Sequence, residues 1–218
     1  MLYLDIHTHQ PLPKNDVQSI LSLSLTEDDL YPLVQTRAVS VGLHPWFAKL
    51  EKLETQIENL YQKAKQTNVK MIGECGLDRL RGESLENQII ILERQIAVAE
   101  ELNKPIILHC VKCFAELIEI KERLKVKIPM IIHGFTKNEE LGKQLKAKGF
   151  LLSFGTAILR EDSSAAKLVK HDDDFFLETD NSETPIQEIY KAAANLKKCS
   201  DDELKARIFA DWKKLNLL

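Results

Sequence analysis

Short apolar runs with β-branched content recur along this chain, and stretches of helical spacing separate most of them. The runs are "LYLDI" (2–6), "VQSILSLS" (17–24), "AVSVGL" (38–43), "VKMIGE" (69–74), "PIILH" (105–109), "PMIIH" (129–133), "FLLSFG" (150–155) and "FFLETD" (175–180). Each has the length and residue preference of a strand. Helical spacing predicts helices over 50–66, 84–103, 113–125, 137–148 and 185–197, the second with Leu85, Ile89, Leu92, Ile96 and Ala99 on one face. Asn103-Lys104-Pro105 and Lys148-Gly149 read as helix stops. Strands that alternate with helices imply a parallel sheet, and eight in this length imply a small α/β fold, a (β/α)8 TIM-type barrel. The connection "HQPLPKNDVQ" after the first strand is too polar and proline-broken for a crossover helix. A slightly degenerate barrel with a shortened first crossover is therefore expected, and an open doubly wound sheet is the alternative.

The polar residues at the ends of these runs add chemistry to the pattern. The first strand ends in His7 and His9, two apart and so on one face of an extended backbone. The third runs into His44, the fourth into Glu74, the fifth into His109, the sixth into His133 and the eighth into Glu178 and Asp180. Five of the six histidines thus terminate strands, and His171 alone falls in a charged approach to the last strand. In a parallel barrel these ends converge on one face, where barrel enzymes build their sites. So many imidazoles and carboxylates need a cation to compensate them. The mixture suits borderline divalent ions such as zinc, manganese, iron or nickel. The number of candidate ligands exceeds what one closed zinc site uses, so two ions fit better than one.

Composition narrows the partners. The 218 residues are 44% hydrophobic and 29% charged, enough for one substantial core, and no linker interrupts them, so a single domain over 1–218 is expected. A formal net charge of −3 gives no general attraction to nucleic acid, so phosphate binding has to come from a local site. No apolar run approaches membrane-spanning length and the N-terminus lacks a signal-peptide pattern, which makes the cytoplasm the expected location and a membrane partner unexpected. Cys110 and Cys113 form a C-x-x-C, but without a second such pair they read as small side chains beside a histidine.

In order along nearly the whole chain, "DIHTH", "GLHPW", "GECGLD", "KPIILHC", "IIHGF", "LSFG" and "LETD" resemble the TatD family of metal-dependent hydrolases, a branch of the amidohydrolase-like barrels. The resemblance implies a barrel that hydrolyses phosphodiesters with two divalent ions, which could be zinc, manganese, magnesium or nickel. It implies that His7 and His9 bind the first ion with Asp180 beside it, that Glu74 bridges the ions, and that His109 and His133 bind the second. His44 matches a histidine at the mouth, where it contacts substrate phosphate. Where relatives carry an arginine after the fifth-strand histidine, this chain has Cys110-Val111-Lys112, so Lys112 is the cation available for phosphate. After "ETD" the chain continues Asn181-Ser182-Glu183 in place of a small residue and proline. Asp78 is expected to close the turn after the fourth strand, and Glu178 to support a ligand.

The reaction expected is nuclease-like attack of a metal-activated water, with Asp180 as the base that accepts its proton and Glu74 in the catalytic set. The substrate expected is nucleic acid or another phosphodiester. One rival keeps the metals and changes the bond to an ester or amide, as in an aminoacyl-tRNA deacylase; another is a metal-binding partner protein without catalysis.

Overall fold

The computed structural model describes residues 1–11, 15–25 and 37–218. Eight strands form one sheet in the order β1 (Tyr3–Thr8), β2 (Val17–Ser24), β3 (Val39–Gly42), β4 (Val69–Asp78), β5 (Ile106–Val111), β6 (Met130–Ile132), β7 (Phe150–Phe154) and β8 (Phe176–Leu177). The β1–β2, β3–β4, β4–β5 and β7–β8 pairs are parallel. A parallel bridge from Thr8 to Asp180 returns the chain beyond β8 to β1. This is the strand order of a (β/α)8 barrel, as the alternating pattern predicts. Part of the connection between β1 and β2, residues 12–14, lies outside the described residues.

The chain divides into two compact units, Met1–Leu21 with Ile132–Leu218, and Ser22–Ile131. In the second, α1 (Leu53–Ala64), α2 (Leu85–Leu102) and α3 (Phe114–Leu124) lie within the predicted helical windows. Its core combines Val39 and Val41, Met71 and Ile72, and Ile106 to Leu108 with Leu60, Leu92 and Ile96. The predicted face of α2 is rotated: Leu85 and Ile89 are only half-buried, while Gln88 and Gln95 are buried. Apolar periodicity misses this because both amides are satisfied by backbone. Gln95 Oε1 accepts from Leu43 N at 2.7 Å and its Nε2 donates to Leu43 O at 3.2 Å. Gln88 Oε1 accepts from Asp78 N at 2.8 Å. A hydrogen-bonded polar group can be buried without the usual penalty.

In the first unit, α4 (Glu139–Ala147) and α6 (Ile186–Lys197) match predicted helices, and α5 (Ser164–His171) and α7 (Asp201–Lys214) were not expected. His171 is therefore the last residue of a helix and not part of an irregular approach to β8. Helix α7 begins with a capping box from Ser200 and Glu203 and buries Leu204, Ile208 and Trp212, four residues apart on one face. Tyr190 on α6 is buried beside β1, its hydroxyl donating to Leu4 O at 3.0 Å and accepting from Leu4 N at 3.2 Å. Strand β8 has only two residues where six were predicted. After Leu177, the amides of Glu178, Thr179 and Asp180 go to Phe154 O, the Asp5 side chain and His7 O, so regular pairing stops.

Candidate metal-binding groups

The first unit assembles His7, His9, His133 and Asp180. His7 lies within β1 and is fully buried, His9 follows the strand, His133 follows β6, and Asp180 follows β8. Asp180 N donates to His7 O at 2.9 Å and Asp180 O accepts from His9 N at 3.0 Å, which laces the two segments together. Its φ of 51° is left-handed, a region aspartate tolerates better than most residues. The carboxylate Oδ1 then stands 3.6 Å from Nε2 of both His7 and His9. The His7 and His133 rings are 4.4 Å apart, and one donor atom each from His7, His133 and Asp180 all lie within 4.8 Å of one another.

Two buried carboxylates stand behind this group. Glu178 accepts from Gly134 N at 2.7 Å and from the Ser153 hydroxyl, and lies 3.5 Å from His133 Nδ1. Burial pushes its carboxyl up. The hydrogen bond and charge of His133, the charge of His7 and the Ser153 hydroxyl outweigh that and hold it below the usual value. Glu178 thereby orients the His133 ring from its Nδ1 side. Asp5 accepts from Thr179 Oγ1 at 2.6 Å and Thr179 N at 3.1 Å. Burial pushes Asp5 up to about 7 despite those bonds.

The second unit assembles His44, Glu74 and His109 around one oxygen. Glu74 Oε1 is 3.1 Å from His44 Nε2 and 2.9 Å from His109 Nδ1. Trp46 N donates to His44 Nδ1 at 3.2 Å, so the neutral His44 ring carries its proton on Nε2. His109 stands between two carboxylates: its Nδ1 is turned to Glu74, and its Nε2 is 3.2 Å from Asp78 Oδ2, which also accepts from the Trp46 indole at 2.6 Å. Burial pushes Asp78 up, but the indole, the Leu80 amide and His109 outweigh it and keep the carboxyl below its usual value.

Close backbone approach sets these distances. Gly76 has φ +142°, and a Cβ there would lie 2.0 Å from His109 O. Only glycine lets β4 run this close to β5, pairing Gly76 with His109 between Glu74 and Asp78. The Gln95 bonds to Leu43 fix the residue before His44.

Lys112 is exposed after β5 with φ 57°, and its carbonyl accepts from Arg79 Nε at 3.1 Å. Asp78 does close its turn, accepting from Leu80 N at 2.8 Å, and in addition orients His109. The pairing of Trp46 with Asp78 was not anticipated. Both residues lie inside motifs singled out in the sequence, but the spacing of 32 residues hides their contact. Cys110 is half-buried and Cys113 buried.

Imidazole and carboxylate donors suit a first-row divalent ion. An ion bound at about 2.1 Å by each donor spaces its donors about 3 to 4 Å apart, so small side-chain rotations close either group around one. Among the described residues no helix is long and apolar enough to cross a membrane.

Comparison with known proteins extends these observations. A family model described as "TatD related DNase" matches residues 14–215. A Haemophilus influenzae protein named "Uncharacterized metal-dependent hydrolase" is 26% identical over 85% of this chain and 83% of its own length. The "3'-5' ssDNA/RNA exonuclease TatD" of Escherichia fergusonii is 32% identical over 52% of this chain, a match that spans 44% of that protein. The crystal structure of a TatD homolog from Escherichia coli k12 shares the fold with a TM-score of 0.81 at 20% identity, over 98% of this chain and 97% of that one.

Proposed function

This chain belongs to the TatD-related DNase family of metal-dependent hydrolases, and from that premise we propose that it cleaves phosphodiester bonds in nucleic acid, with one divalent ion in each ligand group. The observation that carries the reading is the convergence of donor atoms: one each from His7, His133 and Asp180 lie within 4.8 Å of one another, and so do one each from His44, Glu74 and His109. Zinc, manganese or nickel fits these imidazole-rich sets better than magnesium, which prefers oxygen donors.

A bound ion supplies a Lewis acid and lowers the pKa of water toward neutrality. The chain's own residues do the rest. Asp180, 38% exposed and beside His7 and His9, accepts the proton of the attacking water at a carboxylate oxygen. In the second group Glu74 and His109 would hold the ion, and His44 through its Nε2–H contacts a phosphoryl oxygen, where negative charge grows in the transition state. Glu178 and Asp78 hold the His133 and His109 rings against rotation.

One observation favours a second reading, hydrolysis of an ester or amide. A cleft of about 400 Å³ beside His9 is lined, among the described residues, by Gln10, Pro11, Asn181 and Glu183, a set with a carboxylate and no cation. A polyanion gains little there. The deciding experiment assays single-stranded DNA, RNA and an activated carboxylic ester side by side, with added zinc or manganese and with chelator. Metal-dependent cleavage of the oligonucleotides is expected; turnover of the ester alone overturns the phosphodiesterase reading.

A further inference from the structure

In the second unit, the loops after β3 and β4 carry side chains that the ligand group does not use. Phe47 lies three residues after His44 in a tight turn, with Phe47 N and Ala48 N both bonded to His44 O at 3.0 Å. Its ring is 44% exposed and lies 5.6 Å from the His44 ring at an interplanar angle of 41°. Trp46 stands edge-on to both His44 and His109, at 4.9 and 5.5 Å, and the Arg81 guanidinium covers its ring at 4.5 Å.

The cations of these loops fall into two kinds. Arg79 is bound to Glu116, and Lys49 lies 3.6 Å from Glu83. Arg81 is exposed and stacked on Trp46, and no carboxylate among the described residues pairs with it. Gln88 Nε2 reaches the carbonyls of Asp78, Arg81 and Glu83 at 2.8 to 3.0 Å, so the Arg81 loop is tied down. The Trp46 and Phe47 ring centroids are 6.2 Å apart, so Trp46 joins the Arg81 guanidinium to the exposed Phe47 ring on one surface that binds with little ordering cost.

Resting on the nuclease reading above, we propose that Phe47 and Arg81 form a platform for single-stranded nucleic acid. One nucleobase stacks on the Phe47 ring, and the Arg81 guanidinium takes an adjoining phosphate. A duplex is excluded from this mode because a paired base already has both faces covered by its neighbours in the stack. The platform makes the chain sensitive to the presence of a base, independently of which base it is.

The test measures fluorescence anisotropy of short labelled strands with phosphorothioate linkages, which resist cleavage during the measurement, on the purified protein as isolated. Thymidine strands are compared with abasic strands of equal phosphate count. Phe47→Ala should weaken binding of the thymidine strand about tenfold or more and leave the abasic strand unchanged. Phe47→Leu, which keeps an apolar side chain without a flat face, should behave like the alanine variant. Arg81→Gln should weaken both strands equally and flatten their salt dependence. Equal affinity of wild type and Phe47→Ala for the thymidine strand, or equal losses on both strands, overturns the platform. The nuclease reading fails separately, if metal-loaded wild type cleaves no ordinary strand whatever the binding results.

Discussion

Asp180 separates chemistry from structure more cleanly than any other side chain in the first unit. Its backbone holds the chain beyond β8 against β1, while its carboxylate is free to face His7 and His9. Asp180→Asn keeps the backbone bonds and the shape and removes the proton acceptor. Turnover at saturating metal should fall by about a hundredfold or more, with the melting temperature held or raised. Near-normal turnover removes Asp180 from the mechanism. At this scale the sequence shows positions better than pairings. His7, His109, His133 and Asp180 are readable as polar residues at or near strand ends because the apolar runs before them are unambiguous; Glu74 follows such a run too, but β4 does not end there and continues four residues to Asp78. That His133 sits with His7, or that Trp46 and Asp78 hold His109, depends on three-dimensional neighbours and leaves no local trace.

Among elements, β4 is the one whose geometry the ligand group of the second unit depends on. Gly76→Ala adds a methyl at 2.0 Å from the His109 carbonyl in a backbone conformation that only glycine adopts easily. The variant should lose about 3 kcal/mol or more, or fail to fold, as read by urea denaturation. A loss under about 1 kcal/mol would show that β4 and β5 can separate freely. The Ser200→Ala change at the start of α7 should cost about 1 kcal/mol in the same assay, because the hydroxyl takes with it the bond it accepts from Glu203 N and the bond it donates to the Glu203 carboxylate. An unchanged midpoint would mean that the end of α7 frays already. Helix α7 was readable from Ser200-x-x-Glu203 and the Leu204, Ile208, Trp212 stripe, but its eight acidic and basic residues between 201 and 214 mask that stripe. Strands and amphipathic helices follow from periodicity, whereas the rotated face of α2 does not, because Gln88 and Gln95 are buried through bonds to backbone.

For the whole molecule, the cores of both units are built from apolar side chains that lie apart from the ligand atoms. Removing metal with a chelator should therefore abolish hydrolysis and leave the far-ultraviolet circular dichroism largely intact; loss of the helical signal would show that the ions are needed for folding. The division of the chain also has a consequence in time. The ligand group of the second unit is complete once residue 109 has been made, and all of that unit by Ile131. The group in the first unit joins His7 to Asp180, and Thr8 and Asp180 are 172 residues apart. At about 5 to 20 residues per second, a growing chain holds β1 without its last partner for roughly ten to thirty seconds. Stalled chains with Ile131 clear of the ribosome should already retain an ion, and chains that retain none would refute this order. The two ligand groups thus differ in age: the one at residues 44 to 109 is ready to meet the metal pool first, while Asp180, the base proposed above, is among the last of these residues to be born.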